Sequence, residues 1–192
     1  SVIITDPSSE APAQVEETIE NAWPILEEAG LTKDGDRTRL RFTESIAEAV
    51  SGADFIQENV PEREDLKIEV HTIIDRHAPQ DTVIASSSSG LLPSRLQSRC
   101  EFPERVLIGH PFAPVYLLPL VEVVAGERTS TEAIRSAGEF YCQIGMRPLH
   151  VRREIEAYIA DRLQESLYRE ALHLISDGIA TVPEIDAAVT GG

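Results

Sequence analysis

The chain has 192 residues, enough for one ordinary domain and part of a second, and 42% of them are hydrophobic, so it can bury a core. Its 17 basic and 33 acidic residues give a net charge of −16, so we expect neither a nucleic-acid nor a membrane partner. No apolar run approaches the roughly 20 residues of a membrane span, we expect no secretory signal, and the two cysteines, Cys100 and Cys142, indicate a reducing compartment, the cytoplasm.

The first part of the chain alternates between strand and helix patterns. Residues 1–5 predict a buried strand that ends before Asp6, and helical spacing predicts an amphipathic helix over 13–30, followed by a charged turn at 33–39. Further strands are predicted at 40–42, 53–57, 81–85, 105–109, 120–124 and 147–152, and further helices at 43–52 (capped by Thr43), 62–77, 93–100 and 130–144. This alternation predicts an α/β domain with a mostly parallel sheet covered on both faces.

The pattern changes after Arg153. Residues 155–177 predict one long helix with an apolar face, and 182–189 predict a second helix. Two helices cannot bury such a face alone, so we expect missing chain or a second subunit to cover it. We therefore predict two domains, 1–153 and 154–192, in a chain whose two ends are cut from a longer protein.

The most informative segment runs from His110 to Glu122. His110 follows Gly109 at the end of one predicted strand, and Glu122 lies inside the next, in the run Leu-Val-Glu-Val-Val. A buried carboxylate needs a partner, and an imidazole held by a carboxylate keeps one tautomer and can accept a proton from an alcohol. The alternative is a structural histidine with an acid that faces water.

Four serines, Ser86–Ser89, directly follow a predicted strand. At the carboxyl edge of a parallel sheet any of their hydroxyls could donate a hydrogen bond to a substrate oxygen. Composition alone favours a plain flexible loop.

Other candidates have simple interpretations when each is taken alone. Asp6 at a strand end fits an acid that binds the adenosine ribose, or an ordinary turn residue. Glu62 and Lys67 fit a solvated surface ion pair. Phe112 and Tyr116 could face a quaternary ammonium group, although core packing is the more common use of such rings.

Taken together, these residues resemble the 3-hydroxyacyl-CoA dehydrogenase family. The family pattern is a serine loop, a His-x-Phe-Asn-Pro-Val segment and Leu-Val-Glu-Val, and the order and spacing of Ser89, His110 and Glu122 agree with it. The likeness is strongest to the branch whose substrate is L-carnitine, with lambda-crystallin, a gulonate dehydrogenase, more distant. Its motifs here are Ser-Gly-Leu-Leu-Pro-Ser (89–94), Gly-His-Pro-Phe-Ala-Pro-Val (109–115) and Ile-Ala-Asp-Arg-Leu (159–163).

The resemblance implies a Rossmann-like fold, lacking its first βα unit, followed by the start of an all-helical domain that forms a homodimer. It implies NAD as the cofactor and His110 as the general base, with Glu122 to orient it and Ser89 to bind the substrate hydroxyl. It places Asp6, Asn59, Glu62 and Lys67 in the cofactor cleft, and we expect no metal.

Three departures from the family pattern bear on function. None of the 11 glycines forms a Gly-x-Gly-x-x-Gly turn, and Ala113 replaces the family's Asn. Asp161 stands where the acyl-CoA enzymes have Asn, which suits a small cationic hydroxy acid better than a CoA ester. We expect oxidation of the 3-hydroxyl of L-carnitine; the alternatives are an L-gulonate or 3-hydroxyacyl-CoA dehydrogenase, or a protein without turnover.

Overall fold

The computed structural model describes residues 1–31, 33 and 35–192, so the predicted charged turn at 33–39 lies partly outside the described residues. The chain divides into two compact units, Ser1–Glu156 and Ala157–Gly192. The predicted boundary after residue 153 falls within the last residues of the first unit.

The described residues of the first unit contain seven strands in two sheets. Strands β1 (Val2–Thr5) and β2 (Leu40–Thr43) form a two-stranded parallel sheet. A five-stranded sheet follows the chain order, with β3 (Phe55–Glu58), β4 (Val83–Ser86), β5 (Val106–Pro111), β6 (Leu120–Ala125) and β7 (Arg147–Val151).

The larger sheet is parallel except at one junction. β3, β4 and β5 run parallel, β6 is antiparallel to β5, and β7 is parallel to β6. Residues 112–119 alone connect β5 to β6, which is too short for the crossover that a parallel neighbour requires. The predicted mostly parallel α/β sheet is confirmed.

Helices cover the sheets where the apolar pattern placed them. The helices are α1 (Ala11–Glu28), α2 (Ile46–Val50), α3 (Glu64–His77), α4 (Pro93–Leu96) and α5 (Thr131–Gln143). Since strand side chains alternate, Ile84 packs in the cluster with α3 residues, whereas Val83 and Ala85 pack in the cluster with α5 residues. β4 is therefore buried on both faces.

Two predicted helix starts are wrong. α2 is capped by Ser45, whose hydroxyl accepts from the amide of Glu48, because the predicted cap, Thr43, still belongs to β2. The long helix begins at residue 160 rather than 155, because Ala157 and Tyr158 have φ angles of 59° and 41°, outside the right-handed helical range.

The second unit holds α6 (Ala160–Ser176) and α7 (Val182–Gly191). A capping box between Thr181 and Glu184 begins α7. Within the described part of the chain, none of the helices combines the length and apolar character needed to cross a bilayer.

Candidate active site

His110 and Glu122 face each other across the antiparallel junction. β5 and β6 pair His110 directly with Glu122, and directly opposed residues project from the same face of a sheet. The Nδ1 atom of His110 lies 3.0 Å from a carboxylate oxygen of Glu122, and both side chains are buried. The structure thus brings together the pair on which the sequence prediction depends.

The second ring nitrogen of His110 faces the serine loop. Its Nε2 lies 3.1 Å from the hydroxyl of Ser89, which follows the carboxyl end of β4. A carboxylate only accepts hydrogen bonds, so Nδ1 carries the proton that is donated to Glu122, and in the tautomer with its only proton on Nδ1 the other nitrogen, Nε2, presents a lone pair. Nε2 is therefore the atom that can accept a proton.

The Glu62–Lys67 ion pair was predicted to lie on the surface, but its lysine is buried. The Lys67 side chain is 1% exposed, and its ammonium donates to a Glu58 carboxylate oxygen (2.9 Å) and to the carbonyl of Val60 (2.8 Å). The ammonium also lies 3.6 Å from Glu62. The expectation of a solvated Glu62–Lys67 pair is wrong for Lys67, because Glu58 supplies the compensating charge inside the protein.

His71 is a buried neutral histidine next to this ion pair. Its Nδ1 donates to the Lys67 carbonyl (2.7 Å), and Nε2 has no hydrogen-bond partner among the described residues. Burial lowers the His71 pKa below 6.5. The charges of Glu58 and Asp75 and the hydrogen bond to the Lys67 carbonyl oppose this shift, whereas the charge of the Lys67 ammonium adds to it.

We expect this histidine to make the protein sensitive to acid. Since the folded state holds His71 neutral, the unfolded state binds more protons below pH 6.5, and the free energy of unfolding falls as the pH drops through that value. Urea unfolding at pH 7.5 and 5.5 measures the loss, and His71→Phe should reduce it. His77→Gln, at an exposed histidine that makes the same type of main-chain bond, is the control. An equal loss in the wild type and His71→Phe would contradict the prediction.

A link that the sequence analysis missed holds the backbone next to His110. The pairing of β4 with β5 ends at Ile108, and beyond it the amide of Gln57 donates to the Gly109 carbonyl (3.0 Å). The Tyr141 hydroxyl donates to the Gln57 side-chain oxygen (2.6 Å). A Cβ on Gly109 would lie 1.8 Å from that hydroxyl oxygen, so glycine is required there. The Gly-His dipeptide at a strand end was the available signal.

The two predicted aromatic residues occupy different places. The ring of Phe112 lies edge-on to His110, with centroids 4.8 Å apart. Tyr116 instead lines a cavity of about 420 Å³ together with Trp23 and Arg37. His110 does not line this cavity, so the structure places only Phe112 beside the candidate base.

The predicted cofactor residues lie at the carboxyl ends of strands. Asp6 follows β1 and accepts from the amide of Ser8 (2.8 Å), and Asn59 follows β3 and donates to the Gln57 carbonyl (3.2 Å). Both are exposed, and the Glu62 side chain is 45% exposed. Exposed carboxylate and amide groups fit the hydroxyl and amide groups of NAD.

Asp161 lies in the second unit, at the start of α6. It lines a cavity of about 250 Å³ with Gln164, Glu165 and Tyr168, one face of the helix. Two carboxylates beside an aromatic ring form an environment that suits a cation.

Comparison with known proteins identifies the family of the chain. Residues 1–155 match the family model described as 3-hydroxyacyl-CoA dehydrogenase, NAD binding domain. L-carnitine dehydrogenases of Pseudomonas aeruginosa and Bacillus cereus are 54% and 52% identical to the chain over 191 residues, which cover 100% of this chain and 60% and 59% of those proteins. The chain therefore spans about 60% of the length of these relatives.

A solved structure of a related enzyme has the same fold as this chain. The NAD⁺-dependent dismutase 5-formyl-3-hydroxy-2-methylpyridine 4-carboxylic acid 5-dehydrogenase is 31% identical, with a TM-score of 0.91, over 99% of this chain and 62% of that one. The expected Rossmann-like fold and NAD as the cofactor are confirmed. The chain belongs to the 3-hydroxyacyl-CoA dehydrogenase family and carries its NAD binding domain.

Proposed function

We propose that the protein oxidises the 3-hydroxyl of L-carnitine to 3-dehydrocarnitine, with NAD as the hydride acceptor. The observation that carries this proposal is the chain of contacts Ser89–His110–Glu122, which leaves one imidazole nitrogen able to accept a proton. The L-carnitine dehydrogenases that match the whole chain at about half identity support the choice of substrate.

In this proposal the substrate loses a proton from its hydroxyl group and a hydride from the carbon that bears that group. The hydroxyl of Ser89 orients the substrate hydroxyl, and His110 Nε2 takes its proton. Glu122 stabilises the imidazolium that results and keeps the ring in one orientation. Asp6, Asn59 and Glu62 would hold NAD, which would supply the acceptor for the hydride on the carbon that bears this hydroxyl, so that the alcohol becomes a ketone.

The trimethylammonium group of such a substrate needs a partner as well. Asp161 and Glu165 supply negative charge around the Tyr168 ring, and the Phe112 ring next to His110 offers an aromatic face for a cation. We assign Asp161 to the cationic group and Phe112 to the substrate side of the base. Tyr116, which lines another cavity, has less support as a substrate contact.

The residues that we assign to NAD binding lie near the carboxyl ends of strands. Asp6 is assigned to the adenosine ribose, where its charge disfavours a 2′-phosphate and so favours NAD over NADP. Asn59 and Glu62 are assigned to the cleft, and the buried Lys67 acts there through Glu62.

We also propose a homodimer formed through the helical domain, taken from residue 154 onward, and a location in the cytoplasm. Apolar side chains of α6 and α7 are at least 48% exposed: Leu163, Leu167, Leu172, Val182 and Val189. A second copy would cover them, as hydrophobic helix faces require. Cys100 and Cys142 are both free thiols, as expected in a reducing compartment.

NADH formation tests the substrate assignment. We expect the full-length protein to reduce NAD with L-carnitine at a kcat/KM at least about tenfold higher than with L-gulonate or 3-hydroxybutyryl-CoA, since one matched charge is worth about that factor. Asp161→Asn should raise the KM for L-carnitine, because it removes the charge and keeps the shape. A preference for L-gulonate or the CoA ester would overturn the substrate, and an unchanged KM would overturn the role of Asp161.

A further inference from the structure

The four consecutive serines at the end of β4, Ser86–Ser89, separate into two pairs by burial. Ser86 and Ser88 are both fully buried, whereas Ser87 is half-buried and Ser89 is exposed. This alternation continues the period of two of the strand. The buried pair and Ser89 therefore meet different surroundings.

The two buried hydroxyls each bind a carboxylate. Ser86 donates to Glu58 (2.6 Å), and Ser88 donates to Glu62 (2.5 Å). The Ser88 hydroxyl also accepts from the amide of Leu91 (3.0 Å), so it closes the turn that follows Ser89. Lys67 lies between the two carboxylates and compensates their charge.

Glu62 also binds the backbone of the loop. The carboxylate oxygen that accepts from Ser88 accepts from the amides of Ser89 and Gly90 as well, each at 3.2 Å. Hydrogen bonds to a charged group are about twice as strong as neutral ones. One carboxylate oxygen thus holds three successive residues of the loop, on either side of the Ser89 side chain.

We propose that Ser88 and Glu62 are positioning residues that hold the Ser89 hydroxyl towards Nε2 of His110. The proposal deepens the proposed function and rests on it, because Ser89 matters for turnover only if His110 is the base. Neither residue needs to touch the substrate for this role. Without the anchor, the 3.1 Å contact between Ser89 and His110 depends on an unsupported loop.

Amide hydrogen exchange in the full-length protein tests the anchor without any use of activity. In Ser88→Ala and in Glu62→Ala we expect the amides of Ser89 and Gly90 to exchange about tenfold faster or more, the value of one charge-assisted hydrogen bond. Ser87→Ala, at the serine that makes none of these contacts, should leave both amides protected. Glu62→Gln, which keeps an acceptor oxygen, should restore part of the protection.

Kinetics of the same variants separate positioning from cofactor contact. Ser88→Ala should lower kcat about tenfold while the KM for NAD stays within about twofold, because only the proton-transfer geometry changes. Unchanged exchange in both Ser88→Ala and Glu62→Ala would overturn the anchor, as would a higher KM for NAD with an unaltered kcat. If the wild type does not oxidise L-carnitine, the proposed function fails, while the exchange rates still decide on the anchor.

Discussion

Replacing His110 with alanine is expected to slow turnover of the full-length protein by roughly 10²–10⁴-fold, the contribution of a positioned general base. The substitution removes the imidazole that joins Ser89 to Glu122, and with it the nitrogen, Nε2, that is proposed to accept the proton. It also leaves the fully buried carboxylate of Glu122 without its imidazole partner. Initial rates of NADH formation at saturating L-carnitine and NAD measure the effect.

His150 provides the matched control for this experiment. It lies on the strand β7, which pairs with β6, and its side chain is exposed. His150→Ala should keep turnover within a factor of about two, since the pairing of β6 with β7 uses the backbone. A loss of only a few fold in a folded His110→Ala protein would remove His110 from the role of base.

The histidine–glutamate pair could be predicted because its signals are local in the sequence. An acid inside Leu-Val-Glu-Val-Val must find a partner, and a short connection brings the preceding strand alongside. The same signal exists at Glu58, the last residue of β3, but its partner Lys67 lies on α3, where a lysine normally faces water. Burial of Lys67 depends on tertiary packing that a helical pattern does not contain.

For the serine loop, the sequence predicted the position in the chain but not which side chain reaches the site. Its position after a strand was visible in the sequence, but which of four identical side chains faces His110 depends on the direction in which the chain leaves β4. Glu62, 27 residues before Ser89, fixes that direction through backbone amides, which have no sequence signature. The start of α6 was predicted wrongly for a similar reason. Ala157 and Tyr158 have positive φ angles, but neither is a glycine, the residue that normally indicates such a conformation in a sequence.

A second buried ion pair connects α3 to the residue that precedes β5. The guanidinium of Arg105 donates to the carboxylate of Asp75 (2.9 Å), to the Asp75 carbonyl and to the carbonyl of Pro79. The other carboxylate oxygen of Asp75 accepts from the amides of Glu101 and Phe102. Both side chains are at most 5% exposed, so each charge depends on the other for compensation.

Arg105→Met is therefore expected to lower the free energy of unfolding by about 3–5 kcal/mol, because it leaves the buried carboxylate of Asp75 without a compensating positive charge. Urea unfolding followed by circular dichroism at pH 7 measures the loss. Arg135→Met, which breaks an exposed pair on α5, should leave the free energy of unfolding nearly unchanged. Adding Asp75→Asn to Arg105→Met should recover part of the loss, since the uncompensated charge is then gone. Equal stability of the Arg105→Met and Arg135→Met proteins would mean that water reaches Asp75 and that burial of this pair contributes little to the fold.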